Sequence, residues 1–398
     1  MTIRHVGMAG LVVFGALLAC GKPKSPESTP DASSPIASTA PPAPTVVVAT
    51  AGAPATCVAS PPIALRSGIP NASAPVSVAL GADTVWVLYT GKAGATESPV
   101  LLEVLDFDLA TPRITEHALP AGSLGSSSAL AVAQHGIVGT YVGAKGVVFF
   151  SMTKTEPDVF TVPAGAITSG GSVAVVGAKA LTAFGQDDDG VHVAWFDVAT
   201  GARQGTFEKI GGKVQQPTVA GAFGGLTVFS DFTRPGTPGV LRARGASGAP
   251  VALPAVGSDN GSGAAASGVG DRAYVLYNVI GPPTPGAMFP KNTIKLATLT
   301  DGSGNGTTVE LGTAGMVPEN ALQATSWGAV GAFVDARNAL QVATVDRSGH
   351  VVVAPRVVTS AGERARQPSV SVAGSVAVAV WNRSGAAPEL RMSVIHCK

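Results

Sequence analysis

Residues 367–394 read QPSVSVAGSVAVAVWNRSGAAPELRMSV, and this stretch decides the fold. Pro368 to Ala373 alternates in character, Gly374 and Ser375 turn, Val376 to Trp381 alternates again, Asn382 to Gly385 turn once more, and Leu390 to Ile395 forms a third run. Short runs of β-branched and small apolar residues, bounded by Gly, Ser and Asn, mark antiparallel strands joined by tight turns.

The same unit is written six more times upstream. The copies are Val76 to Tyr89 with Leu101 to Leu105, Ala129 to Val142 with Gly146 to Met152, and Val173 to Phe184 with Val191 to Phe196. They continue as Pro217 to Ser230 with Val240 to Arg244, Ala264 to Asn278 with Ile294 to Thr298, and Ala321 to Val334 with Leu340 to Val345. The spacing, about 43 to 57 residues, matches the period of four-stranded propeller blades. Seven copies predict an all-β, seven-bladed β-propeller.

Six copies have a downstream fourth strand: Ile114 to Ala118, Val159 to Val162, Thr206 to Ile210, Val251 to Leu253, Thr308 to Leu311 and Val351 to Val358. The seventh has none before Lys398. Val58 to Arg66, which precedes the first copy, is therefore expected to complete the last blade and remove the edges of an open array.

Composition agrees with strands packed face to face. The chain has 50 Gly and 30 Pro, aromatics make up 5%, and small residues dominate the apolar set. The net charge is +1 and no basic block stands out beyond the first residues, so nucleic acid and anionic membrane surfaces have no electrostatic footprint here.

The N-terminal segment reads as an address. Arg4 precedes the apolar run Val6 to Leu18, which is too short to span a bilayer as a stable helix. Leu17-Leu18-Ala19-Cys20-Gly21 resembles the lipobox of bacterial lipoproteins. The resemblance implies removal of residues 1–19 as a signal peptide and acylation of Cys20. Gly21 stands where an Asp implies inner-membrane retention, so an outer-membrane address is expected in an envelope with two membranes. Residues 20–55, rich in Pro, Ser, Thr and Ala, have too little to bury and read as a tether spanning roughly 30 to 100 Å. Residues 56–398 form the propeller domain.

Three cysteines are present, and an acylated Cys20 leaves Cys57 and Cys397. One begins the borrowed strand and the other ends the last third strand, so antiparallel pairing sets them side by side. A disulfide there is expected, and it agrees with export to an oxidising compartment.

Local catalytic motifs are missing from the sequence. The six His share no metal-ligand spacing, and the Gly-rich runs Gly257 to Gly263 and Asp301 to Gly306 lack the setting of a phosphate loop, so they read as hairpin turns. Asp187-Asp188-Asp189 is the densest acidic cluster and the one candidate calcium site, although the alternating D-x-D-x-D-G pattern is absent. No other cofactor is implied. Asp or Asn followed by Arg recurs at strand ends: Asp231 with Arg234, Asp335 with Arg337, and Asn382 with Arg383. These resemble the W-x-D-x-R-like turns of exported bacterial propeller repeats. One reading offers carboxylate and guanidinium groups to a ligand on one face. The other has the acid cap its turn while the Arg packs on the next blade. The expected function is a non-catalytic binding or scaffolding module whose partner is an envelope protein. A glycan or small-ligand binder, and a hydrolase or lyase with residues converging only in space, are the alternatives.

Overall fold

Each repeated unit forms one antiparallel sheet. The computed structural model describes residues 52–398 apart from 94–95, 124–128, 135, 144–145, 153–157, 164–166, 187–189, 212–213, 232–238, 258–260, 283–289, 316 and 318. Blade 1 consists of Ser77–Leu80, Thr84–Ala93, Thr96–Leu105 and Arg113–Ala118. Blade 2 has Ala129–Ala133, Gly136–Gly143, Gly146–Met152 and Asp158–Pro163, with the short Gly122–Ser123 also paired to its second strand. Blade 3 is Ile167–Val176, Lys179–Gln186, Gly190–Asp197 and Arg203–Lys209, and blade 4 is Val214–Ala220, Leu226–Asp231, Val240–Arg244 and Val251–Ala252. Blade 5 is Gly261–Val269, Arg272–Ile280, Asn292–Leu299 and Gly306–Thr313, and blade 6 is Asn320–Ala324, Gly328–Val334, Leu340–Asp346 and Val351–Val357.

Blade 7 takes three strands from the end of the chain, Arg364–Ala373, Val376–Ser384 and Glu389–Cys397, and its outer edge from the beginning. That edge is two strands rather than the single expected one. Cys57–Ala59 and Ile63–Ser67 both pair with Glu389–Cys397, and Pro61 and Pro62, which have no N–H to donate, separate them. Ser60 carries the ladder across the gap: its N–H donates to the Val394 carbonyl at 2.7 Å, and its hydroxyl accepts the Val394 N–H at 3.0 Å. The register sets Cys57 opposite Cys397, and the two are disulfide-bonded. The first strands of all seven blades contact one another in an unbroken cycle, so the ring is closed.

Period-two alternation explains the core. In the second strand of blade 7, Ala377, Ala379 and Trp381 pack toward blade 6, while Val378 and Val380 pack toward blade 1. Middle strands are thus buried on both faces and read as continuous apolar runs. Seven hydrophobic clusters result, one at each seam between neighbouring blades. Each second strand also buries one aromatic near its end: Tyr89, Tyr141, Phe184, Phe229, Tyr277, Phe333 and Trp381. The largest of them, Trp381, donates its indole N–H to Glu363 at 2.7 Å.

Asp301 to Gly306 joins the third and fourth strands of blade 5, as its Gly-rich sequence predicts. The Asp301 carboxylate accepts the N–H groups of Ser303 and Asn305. Asp197 and Asp346 cap the equivalent hairpins of blades 3 and 6 in the same way.

Candidate functional site

The first strands surround a central channel of about 630 Å³. Its wall is mainly Ala, Val, Ser and Gly, because neighbouring strands approach closely there and leave room only for small side chains. Between blades the wall is stitched by hydroxyls. Ser77 accepts the Leu130 N–H, Ser172 that of Val219, Thr218 that of Ala266, and Ser267 that of Ala324, all at 2.9–3.1 Å. Ser369 and Ser371 do the same for Val78 and Leu80 across the seam where blade 7 meets blade 1. These contacts satisfy N–H groups on strand edges that have no ladder partner.

At two seams no such hydroxyl contact falls among the described residues. Between blades 2 and 3, Gly171 lies so close to Thr140 that an added Cβ would stand 2.6 Å from its methyl carbon. Between blades 6 and 7 the link is ionic. Glu319, whose side chain is 2% exposed, accepts the Arg366 Nε–H at 2.5 Å and the Gln367 backbone N–H at 3.0 Å. Gln367 holds a left-handed backbone, φ 51°, at this point. Burial pushes the Glu319 carboxyl above the usual carboxylate range, and the Arg366 guanidinium and the Gln367 N–H pull only part of the way back.

Glu319 stands at the mouth where the first strands begin, beside Asn320 and Gln367. It is the one charged side chain among the described residues lining the channel. Nothing in the sequence near Glu319 singled it out, since Arg366 lies 47 residues away.

The recurring Asp/Asn and Arg pairs make different contacts in their three blades. Asp231 pairs with Arg242 of the adjoining strand at 2.6 Å, while Arg234 lies outside the described residues. Asp335 caps its turn, accepting the N–H groups of Arg337 and Ala339 and the Gln341 amide, and Arg337 is exposed. Asn382 and Arg383 reverse the expected roles. The buried Asn382 amide reaches the next blade's approach, donating to the Ala72 and Ala74 carbonyls, whereas Arg383 stays in its own hairpin with Ala387 and Glu389. Arg383 does so because the register sets Glu389 directly opposite. Asp187, Asp188, Asp189 and Cys20 all lie outside the described residues.

No family model and no curated protein sequence matches the chain. Among solved structures, the WD40 domain of coronin from Toxoplasma gondii superposes with a TM-score of 0.52 at 11% identity, covering 86% of each chain. The chain shares the propeller fold with that domain. The polysaccharide lyase Uly1 is similar over 83% of this chain and 90% of its own, with a TM-score of 0.49 and 9% identity. The phage phi92 endosialidase follows with a TM-score of 0.46 at 7% identity, covering 85% of this chain and 69% of its own. At these values the likeness to the lyase and the endosialidase bears on neither substrate nor activity.

Proposed function

We propose that the chain is an exported, lipid-anchored propeller that serves as a non-catalytic binding or scaffolding module in a bacterial cell envelope. The anchor rests on Leu17 to Gly21 and the tether on the Pro/Ser/Ala-rich segment that follows. One observation carries the binding reading. Glu319, the charged group of the described channel wall, is already engaged by Arg366 and Gln367 and ties two blades together. Both carboxyl oxygens are taken up in this clasp, one by Arg366 and the other by Gln367. A propeller also offers broad faces, which suit an envelope protein as partner. A glycan or small-ligand role is the second reading, favoured by channel dimensions within the range of small-molecule sites, about 300–1,000 Å³.

The test is cross-linking of the full chain in its native envelope, followed by capture and identification of what is attached. One recurrent stoichiometric envelope protein supports scaffolding. Capture of no partner, together with turnover of a glycan by the purified chain, overturns it. Cys20→Ser should release the chain from the membrane fraction, and continued retention overturns the anchor.

A further inference from the structure

We infer that the seam between blades 3 and 4 holds a carbohydrate-binding cleft in which Trp195 is the stacking surface for one neutral sugar ring. This deepens the reading of the chain as a binding module and rests on it. The cleft measures about 360 Å³ and is lined by Val176, Lys179, Trp195, Gln204 and Gly224.

Trp195 departs from the repeat. It sits in the third strand of blade 3 with Leu181 opposite on one side and Gln204 opposite on the other. Leu181 lies three residues before Phe184, the buried aromatic of that blade. The same count back from the aromatics of blades 1, 2, 5, 6 and 7 leads to third-strand partners Glu103, Ser151, Thr298, Thr344 and Val394. A large indole therefore stands where those blades carry a Glu or a small side chain. A feature that recurs in every blade serves the blade, and this one does not recur.

The opposite wall is backbone rather than side chain. Blade 4 turns there through a short 3-10 segment, Ala222–Gly224. Gly224 has φ 74°, and a Cβ added to it would meet nothing within 4 Å. Gly225 has φ 116°, and a Cβ there would stand 2.8 Å from the Trp195 Cη2 atom. Two adjacent glycines thus let the backbone approach the edge of the indole while no side chain fills the wedge. Trp195 remains half-buried, with Gln204 also half-buried and Lys179 exposed at the rim.

The chemistry is that of sugar recognition. A pyranose has one apolar C–H face, which an indole covers, and a rim of hydroxyls that both donate and accept. Gln204 offers one carbonyl acceptor and two amide donors, and the Lys179 ammonium offers donors alone. An apolar surface with a few convergent polar groups is the usual build of a small-ligand site.

Fluorine NMR of the 5-fluorotryptophan-labelled chain tests the assignment, because the protein has only four tryptophans and Trp195→Phe identifies the resonance. The probes are cellohexaose, maltohexaose and chitohexaose. At least one should shift the Trp195 resonance saturably and leave those of Trp327 and Trp381 in place. Gln204→Ala and Lys179→Ala, both on the rim, should each weaken that binding about fivefold, the equivalent of one hydrogen bond. No shift with any of the three oligosaccharides overturns the inference. So does a shift whose affinity is unchanged in the Gln204→Ala/Lys179→Ala double variant. Cross-linked partner capture remains intact if only the cleft assignment is wrong, and is lost as well if the binding-module reading is wrong.

Discussion

Removing the Cys57–Cys397 disulfide should weaken the ring without opening it. The bridge joins residues 340 positions apart. For a closed loop of that length, the lost chain entropy of the unfolded state corresponds to about 6 kcal/mol at 25 °C. Unfolding entropy of about 2.1 cal/mol/K per residue, taken over roughly 340 residues, is about 0.7 kcal/mol/K, so Tm should fall by about 8 °C. The native ring nevertheless keeps its other fastenings. Three residue pairs from Cys57–Ala59 and four from Ile63–Ser67 hold the closing strands to Glu389–Cys397. Leu65 and Ile69 are buried in the seam between blades 7 and 1. Calorimetry of the Cys57→Ser/Cys397→Ser variant should therefore show one cooperative transition, lower by about 5–8 °C, with unchanged far-ultraviolet circular dichroism. A Tm within about 1 °C of the parent would refute the entropic staple. Loss of cooperative melting would refute closure by strand pairing and packing.

Glu319 gives a pH-dependent prediction. Burial raises its carboxyl pKa above the unfolded value, so its contribution to stability is fully present below the unfolded pKa, about 4.3, and is lost as pH rises through the folded pKa. Denaturant titrations from pH 4 to pH 8 should show that decline in the parent and not in Glu319→Gln, which remains within about 1 kcal/mol of the parent at pH 7. Glu319→Ala strips the acceptor from Arg366 and Gln367 and should cost about 1–3 kcal/mol. Thr218→Val keeps the shape of the side chain but removes the acceptor for the Ala266 N–H, and urea unfolding should show a loss of about 1–3 kcal/mol. Trp381→Ala empties a fully buried site in the blade 6–7 seam and removes the partner of Glu363, and should cost about 3–5 kcal/mol by the same assay.

The blades were legible in sequence because their signals are local. Alternation and Gly, Asn and Ser turns lie within a few residues of one another, as in Ala373 to Val376, where Gly374 takes φ 60°. Cys57 and Cys397 were legible through topology, since closing the ring sets the two chain ends in register. The break at Pro61 and Pro62 was present in the sequence, and with proline chemistry applied it divides the closing strand. The seven aromatics carried a signal that aligning the second strands would have found. The channel was less legible. Ser172 and Thr218 look like ordinary polar positions of alternating strands, and only the ring geometry brings them to N–H groups about a blade away. Glu319 and Arg366 meet for the same reason. Trp195 gains meaning only when blade 4 sets glycines against it.

Amide hydrogen exchange on peptides covering residues 57–67 and 389–397 tests head-to-tail closure most directly. The two segments should be protected to a similar degree, with the Val394 amide, bonded to the Ser60 hydroxyl, among the slow ones. In a chain beginning at Ile69, residues 389–397 should lose protection first. Exchange of residues 57–67 at the rate of a free peptide, while 389–397 stays protected, would contradict the closed ring.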